Sequence, residues 1–374
     1  MTLQINAAFD AGNIEVIDAS DPQNIRLRIL KDAHSDFYQW FHFRVTGAKN
    51  TPIRLIIENA GGAAYPKGFE DYCACYSEDL ERWPRVASTQ LQDGALVIEH
   101  TPGTDSVYYA YFAPYTLERH RHLIADALSH DGVSLNVLGQ TLDGRDLDCL
   151  SLGEGEKTFW IIARQHPGES MAEWWMEGFI ARLTDPDDGV AAALRTKATF
   201  HIVPNMNPDG SFRGHLRTNA AGANLNREWE TPTLERSPEV YHVRGAMDAN
   251  PPILCLDVHG DEALPYNFIA GAEGIPGHTA KQQADLDAFL AAYVKASPDF
   301  QAEVGYPKSA PGKANMTMCT TQTAKRYDCL SMTLEMPFKD NANAPDTQFG
   351  WSPDRCAQLG SDTLDAMAAV IDQL

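Results

Sequence analysis

A candidate pair of metal ligands stands in the stretch ARQHPGES, residues 163–170. His166 and Glu169 are three residues apart, directly after the apolar run FWIIA and directly before a segment with a helical pattern. Pro167 and Gly168 between them favour a tight turn, which would bring both side chains to one point. This spacing is typical of metal ligands, yet it also arises often by chance. Other parts of the chain must therefore decide whether the pair binds a metal.

A second histidine strengthens the metal interpretation. His259 closes the apolar run ILCLDVHG, and Asp257 stands two residues earlier, on the same side of that predicted strand. Two histidines and one glutamate are an attested ligand set for catalytic zinc, with a fourth position left open. The alternative is that both are ordinary histidines near the surface with satisfied hydrogen bonds. That alternative accounts well for either residue alone, but poorly for two such histidines at strand ends. Cys73 and Cys75 are poorer candidates, because a structural zinc site needs four ligands and no second pair follows.

The elements that must position these residues alternate between strand and helix after residue 116. Such alternation is typical of an α/β fold with a mixed, mostly parallel sheet flanked by helices. Ligand sites in such folds lie beyond the carboxyl ends of the strands, which is where His166 and His259 fall. We predict strands at 159–165, 253–260 and 329–338, a strand that runs into a loop at 198–210, and helices at 116–128, 172–183, 284–296 and 362–374.

The first part of the chain has a different pattern. Short alternating or aromatic-rich runs are separated by clusters of Gly, Pro, Asn and Asp, which is typical of a small antiparallel β-sandwich domain. The predicted strands are 39–45, 53–59, 95–100 and 107–115. A chain of 374 residues also exceeds what one hydrophobic core usually supports, about 250–300 residues. We therefore expect a β-rich domain at 1–116 and a catalytic domain at 117–374.

Charge and composition limit the partners. A net charge of −21 disfavours nucleic acid, which needs a basic surface. No apolar stretch reaches the roughly 18–20 residues that span a bilayer, so no membrane partner is expected. The start of the chain shows no basic region followed by an apolar one. The seven cysteines are scattered and several lie in apolar runs, which favours buried thiols in a reducing compartment. We expect a cytoplasmic protein.

The motifs taken together carry a family resemblance. HPGE, the distant VHG, NPDG (207–210), RTNAAGANLNR (217–227) and TLEM (333–336) resemble the zinc metallocarboxypeptidases, and more narrowly the cytosolic carboxypeptidase subfamily. QWFHFRVTG and YYAYFAPYT resemble the β-rich domain that precedes the catalytic domain in that subfamily. The resemblance spans about residues 40–350. It implies the zinc carboxypeptidase fold, one zinc ion per chain and hydrolysis of the C-terminal peptide bond.

The resemblance also implies a role for seven residues. It implies His166, Glu169 and His259 as zinc ligands and Glu335 as the general base. It also implies Arg217 as the group that polarises the scissile carbonyl, and Asn226 with Arg227 as the groups that bind the terminal carboxylate. The chemistry agrees, because zinc lowers the pKa of its bound water toward ~7 and a nearby carboxylate can then take the proton. Arginine suits both an oxyanion and a carboxylate. On local pattern alone, a solvent-facing Glu335 and two surface arginines remain the alternatives.

One residue departs from the family pattern. Asn224 stands where the family commonly has Asp, an acidic partner for a zinc histidine. The departure leaves Asp257 and Asp209 as candidate replacements, and it bears on zinc affinity and rate more than on the fold.

The sequence indicates the substrate less precisely than it indicates the site residues. The partner implied is the C-terminus of a peptide or protein. The stretch TAKRYD places Lys325 or Arg326 near the expected specificity pocket, where a positive charge would favour C-terminal Glu or Asp, as in removal of glutamates from tubulin tails. Ordinary surface residues are the alternative. Two other functions stay open: a zinc deacylase of N-acyl amino acids similar to aspartoacylase, and a catalytically silent peptide-binding module.

Overall fold

Nine short strands form the first part of the chain, of which the computed structural model describes residues 3–374. They are β1 (Gln4–Asn6), β2 (Glu15–Asp18), β3 (Ile25–Arg28), β4 (His42–Thr46), β5 (Ile53–Ile57), β6 (Cys75–Ser77), β7 (Thr89–Gln92), β8 (Ala95–His100) and β9 (Ser106–Ala110). One sheet has the order β1-β4-β9-β6, and the other has the order β2-β3-β5-β8-β7.

The two sheets share one hydrophobic core. Ile53, Leu55 and Ile57 alternate with partly exposed residues along β5, and their buried side chains belong to the same cluster as Phe43 of β4 and Tyr109 of β9. Alternation of this kind is what a sheet with one buried face requires. Strand pairs are antiparallel except for the parallel pair β3–β5. The predicted antiparallel β-sandwich is therefore confirmed, with one parallel pair within it.

The second part begins with helix α1 (Leu117–Ala127), whose N-cap is Thr116; its hydroxyl accepts a hydrogen bond from Arg119 N at 3.3 Å. The remaining helices are α2 (Met171–Thr184), α3 (Gly189–Lys197), α4 (Pro208–Arg213), α5 (Pro238–Ala249), α6 (Ala280–Ala296), α7 (Cys319–Tyr327) and α8 (Pro353–Val370). The strands are β10 (Ser134–Gln140), β11 (Asp146–Leu152), β12 (Lys157–Ala163), β13 (Ala198–Val203), β14 (Leu254–Asp261), β15 (Phe268–Ala270) and β16 (Leu330–Pro337).

These seven strands form one mixed sheet with the order β10-β11-β13-β12-β14-β16-β15. The four central strands, β13, β12, β14 and β16, are parallel to one another. Phe159 and Ile161 of β12 lie in one core with residues of α2 and α8, whereas Trp160 and Ile162 lie in a second core with residues of α5. Both faces of the sheet are thus covered, and the predicted α/β fold is confirmed.

The last helix is longer than predicted. It begins at Pro353 rather than at 362, with Ser352 as its N-cap. The first half of the helix contains Gly360, a residue type that is unfavourable in helix interiors. In the structure, a Cβ at Gly360 would lie 2.1 Å from the Trp175 carbonyl oxygen of α2, so the glycine permits close packing of two helices inside one continuous helix.

Within residues 3–374, no helix is both long and apolar enough to cross a membrane. All seven cysteines are free thiols; Cys73 is half-buried and the other six are buried. The ends of the adjacent parallel strands β12, β14 and β16 lie side by side, and every residue of β14 and β16 is buried. Functional groups just beyond or at these ends therefore share one place in the fold.

Candidate active site

A rigid turn follows β12 and carries the first two candidate ligands. Arg164 adopts a left-handed conformation with φ of 57°, and its buried guanidinium donates to the carbonyls of Pro167 (2.9 Å) and Tyr115 (2.7 Å). Gly168 N donates to Leu216 O at 2.8 Å, and a Cβ on Gly168 would lie 2.9 Å from that oxygen. Only glycine fits this close approach, so the sequence Pro-Gly fixes the turn between the ligands.

The three predicted ligands meet at one point. The candidate ligand atoms of His166, Glu169 and His259 all lie within 4.8 Å of one another, and all three residues are buried. Glu169 Oε1 lies 2.7 Å from His166 Nδ1, and Glu169 Oε2 lies 2.8 Å from His259 Nδ1. The two Nδ1 atoms are 3.2 Å apart. This donor set, two imidazoles and one carboxylate, fits a zinc ion.

The outer nitrogen of each histidine has its own partner. His166 Nε2 donates to Asn224 Oδ1 at 3.0 Å, and this oxygen also accepts from Asn226 N. His259 Nε2 lies 2.9 Å from Asp257 Oδ1, and Gln165 donates to the other Asp257 oxygen at 2.6 Å. With Nε2 carrying the proton, each Nδ1 lone pair points toward the shared centre, as metal ligation requires.

These contacts show which residues support the two histidines in a chain that has Asn224 where the family commonly has Asp. Asn224 itself contacts His166, and Asp257 supports His259. Asp209, the other candidate replacement, instead accepts hydrogen bonds from Thr141 and Arg145, both at 2.7 Å. Asp209 is therefore wrong as a partner of the histidines.

The surroundings of the three groups shift the pKa of each in a different way. Burial, followed by the charge of Arg217, lowers the pKa of His166 to about 4. Burial opposes ionisation of Glu169, but the two histidines together lower its pKa. Burial also opposes the charged form of His259, yet Asp257 and Glu169 raise its pKa well above the usual value. His166 and Glu169 are therefore a neutral imidazole and an ionised carboxylate, as metal ligands need to be, whereas His259 has to release a proton when a metal binds.

Glu335 lies beside this centre on the neighbouring strand. It is paired in register with His259 of β14, and its side chain is buried. Burial raises its pKa well above the usual value, with further contributions from Glu169, Asp261 and Glu262 that the charge of His259 opposes. Glu335 Oε2 has no hydrogen-bond partner within residues 3–374. A buried, unpaired carboxylate is costly to fold, which points to a chemical role.

Two arginines approach the same region from the segment that follows α4. Arg217 is half-buried, with its guanidinium 5.7 Å from the centre of the Phe37 ring and 5.4 Å from that of Tyr65. Partial burial and then the charge of Arg217 lower the pKa of Arg227, so the two cations lie near each other. Across residues 3–374 neither forms an ion pair with a carboxylate, although the chain carries a net charge of −21. Unpaired, neighbouring guanidiniums form a site for an anion.

Asn226 joins these arginines to helix α7. Its Oδ1 accepts a hydrogen bond from Cys319 N, the first residue of α7, at 2.8 Å, and its carbonyl accepts one from Arg227 at 2.6 Å. The structure therefore brings together all seven residues that the sequence singled out.

Lys325 and Arg326 lie away from this point. Helix α7 meets Asn226 at its first residue, whereas these two residues belong to its last turn, about 9 Å further along at 1.5 Å per residue. Arg326 is exposed and pairs with Asp248 at 2.6 Å. The buried residue two positions before Glu335 on β16 is the uncharged Thr333, whose hydroxyl bonds to that of buried Thr320 of α7 at 2.6 Å.

Sequence reasoning missed several neighbours of the site. Tyr306 donates to Asp261 at 2.5 Å and lies close enough to Glu335 and Arg227 for an electrostatic interaction with each. Tyr65 comes from the β-sandwich part of the chain, and no local motif marks it. Glu262 is buried, and burial with the charge of Glu169 raises its pKa to about 8. The sequence feature that could have identified Glu262 is the Asp-Glu pair directly after His259 and Gly260, because burying two charged residues next to a buried strand costs free energy.

Two family models match the chain. The model of the cytosolic carboxypeptidase N-terminal domain matches residues 5–112, and the model of zinc carboxypeptidases matches residues 125–340. Together they cover the β-sandwich and most of the second part of the chain, including every candidate site residue.

Individual relatives agree with the family models. An uncharacterized protein of Zymomonas mobilis is 55% identical over 374 residues, which is 100% of this chain and 98% of that protein. A metallo-carboxypeptidase from Pseudomonas aeruginosa, solved in complex with (2-guanidinoethylmercapto)succinic acid, is 46% identical with a TM-score of 0.97 over 99% of each chain. Mouse cytosolic carboxypeptidase 1 is 26% identical over 341 residues, which is 76% of this chain but 28% of that protein.

Proposed function

The chain belongs to the zinc carboxypeptidase family, a family of metallopeptidases, and we propose that it releases single residues from the free C-terminus of peptides or proteins. One observation carries this proposal: a buried triad of two histidines and one glutamate lies beside an unpaired carboxylate and two unpaired arginines. The first group suits zinc, the second a proton transfer and the third a substrate anion. Hydrolysis of a C-terminal peptide bond needs all three.

In this proposal, His166, Glu169 and His259 would hold one zinc ion, the histidines through Nδ1 and the glutamate through a carboxylate oxygen. Bound there, zinc would act as a Lewis acid and lower the pKa of a coordinated water. Glu335 takes the proton of the attacking water and passes it to the leaving amine. Its raised pKa supports this role, because a carboxylate with a higher pKa is a stronger base toward the proton of the water than an ordinary glutamate.

Arg217, Asn226 and Arg227 bind the substrate. We assign Arg217 to the oxygen of the scissile carbonyl, where a fixed positive charge stabilises the oxyanion without a change of protonation. Arg227 and the Asn226 amide bind the terminal carboxylate. Within residues 3–374 the acidic chain supplies no carboxylate partner for either arginine, which leaves both charges available to the substrate.

The two arginines are expected to give different kinetic defects. Arg217→Ala should lower kcat by about 10²–10³-fold with little change in KM, because the oxyanion exists only in the transition state. Arg227→Ala should raise KM at least about tenfold, because the carboxylate is bound already in the ground state. Steady-state kinetics on one peptide measures both. The same defect in both variants would contradict the separate assignments.

Asn224 offers a test of the outer contacts. Asn224→Asp should tighten zinc binding about tenfold, because a carboxylate on His166 Nε2 raises the basicity of its Nδ1. The substitution keeps the oxygen that accepts from Asn226 N, so the local turn should persist. Competition with a chelator measures the affinity, and Asn224→Ala, which loses the contact, should weaken it. Weaker zinc binding by Asn224→Asp would show that the contact has another purpose.

The finer proposal, a preference for C-terminal Glu or Asp, has narrower support. It rests on the likeness to cytosolic carboxypeptidases, because Lys325 and Arg326 lie at the far end of α7. Peptides ending in Glu, Asp, Phe or Lys would be incubated with the enzyme and the products weighed. Release of single residues supports the carboxypeptidase function, and the order of rates decides the preference. Faster release of Phe or Lys would remove the acidic preference and keep the function.

We further propose that the domains divide at 116/117 and that the protein works in the cytoplasm. The boundary falls between the two matched regions, at the N-cap of α1. The cytoplasmic location is supported by the name of the mouse relative and by seven free thiols. Separate expression of 1–116 and of 117–374 would test the boundary, and a fluorescent fusion would test the location.

A further inference from the structure

We propose that the N-terminal domain positions Arg217: Asp32 fixes its backbone, and the rings of Phe37 and Tyr65 flank its guanidinium. This inference rests on the function proposed above, because it assigns positioning residues to the same reaction. It gives the β-sandwich a defined part in catalysis, although all three zinc ligands and Glu335 come from the second domain.

Asp32 binds the backbone around Arg217. One oxygen accepts from Leu216 N at 2.7 Å, and the other accepts from Arg217 N at 2.8 Å and Thr218 N at 2.9 Å. The Thr218 hydroxyl also donates, at 3.1 Å. Asp32 is buried, with an exposed fraction of 2%, and forms no ion pair within residues 3–374. Its charge is therefore balanced by these donors, an arrangement in which charge-assisted bonds hold three consecutive residues.

A second contact ties the same segment to the first domain. Ala33 N donates to His215 Nε2 at 3.0 Å, and His215 Nδ1 donates to the Thr218 carbonyl at 2.9 Å. Asn13 donates to the Gly214 carbonyl at 2.8 Å. The segment 214–218, which contains Arg217, is thus bonded to the β-sandwich at both ends. Rigid support of this kind is what an oxyanion donor needs, since a displacement of about 1 Å can cost 10²-fold in rate.

The aromatic rings hold the guanidinium without neutralising it. Phe37 and Tyr65 lie 5.7 and 5.4 Å from the carbon of the guanidinium, within the range of cation–π contacts. A carboxylate partner would fix Arg217 equally well, but it would occupy the donors and cancel the charge. Two ring faces restrict the side chain and leave its N–H groups free for the substrate oxygen.

The main test combines one substitution with a double-mutant cycle. Asp32→Asn should lower kcat by about 10–10²-fold with KM nearly unchanged, because the transition-state contact is misplaced. Asp36→Asn, the same substitution at an exposed residue that pairs with Lys31, should leave the rate unchanged. In the Arg217→Ala background, Asp32→Asn should cause no further loss of kcat. An equal loss in both backgrounds would show a general structural role and overturn the proposal.

A second variant covers the case in which Asp32→Asn does not fold. Tyr65→Leu leaves all backbone bonds of Arg217 intact but removes one ring, and it should also lower kcat selectively. Tyr65→Phe, which keeps the ring, should recover most of that loss. Circular dichroism melting and zinc content of each variant separate a local effect from unfolding. Normal kcat in Tyr65→Leu would overturn the role of the ring. A wild-type enzyme that cleaves no peptide would instead refute the proposed function, before any variant is compared.

Discussion

Glu335→Gln should lose about 10²–10⁴-fold of its turnover while its fold and zinc content stay as in the wild type. Glutamine keeps the size of the side chain but cannot accept the proton of the attacking water. The substitution should not destabilise the protein, because Glu335 Oε2 is buried without a partner within residues 3–374 and its pKa is raised. A neutral amide at this place removes a buried group that resists ionisation.

The neighbouring Glu262 gives a matched control. It is also buried and its pKa is raised to about 8, but it lies against Gly68 of the first domain rather than beside His259 on the adjacent strand. Glu262→Gln should therefore cost much less turnover than Glu335→Gln. Kinetics, melting temperature and zinc content would be measured for both. The reverse order of effects, with Glu262→Gln nearly inactive, would transfer the role of base to Glu262.

The second large effect is expected on removing a ligand. His166→Ala should lower zinc from near one ion per chain to near zero and reduce turnover to background, because two remaining ligands hold zinc poorly. His166 is the best ligand to remove. Its outer partner is the neutral Asn224, and Glu169 keeps its contact with His259, so no new unpaired charge is buried. Elemental analysis by mass spectrometry measures the zinc content.

Zinc should also raise the melting temperature of the wild type and not that of His166→Ala, because a ligand that binds only the folded state stabilises it. The pair Cys73→Ser and Cys75→Ser serves as the control. Burial raises the pKa of both thiols, which makes them poor ligands, so zinc should stay bound in these variants. Loss of zinc from the cysteine variants, with full zinc in His166→Ala, would place the metal elsewhere.

The triad could be predicted because its geometry follows from local sequence. His166 and Glu169 stand in the turn that follows β12, His259 stands near the end of β14, and the carboxyl ends of neighbouring parallel strands necessarily lie together. Glu335 lies beside His259 for the same reason, since β14 and β16 are paired in register. Such residues are found once the alternation of strands and helices is recognised.

Contacts between domains could not be predicted in this way. Asp32 and Arg217 are 185 positions apart, and nothing in the local pattern around either residue points to the other. Asp32 and Tyr65 carry no motif and stand in loops. Lys325 and Arg326 lie away from the site because α7 starts at Cys319, whose N–H donates to Asn226, and the two residues fall in the last turn of that helix. Tertiary contacts of this kind decide details of specificity that spacing alone leaves open.

The most direct test of the carboxypeptidase function compares a peptide ending in Glu-Glu with its C-terminally amidated twin. The free peptide should become shorter by single residues, and the amidated twin should react at least about tenfold more slowly. Amidation removes the charge that Arg227 and Asn226 bind and leaves a guanidinium without its partner, which typically costs about 2–5 kcal/mol. Mass spectrometry of both reactions, with wild-type enzyme and with Glu335→Gln, gives the result. Equal cleavage of the two peptides by the wild type would contradict the account.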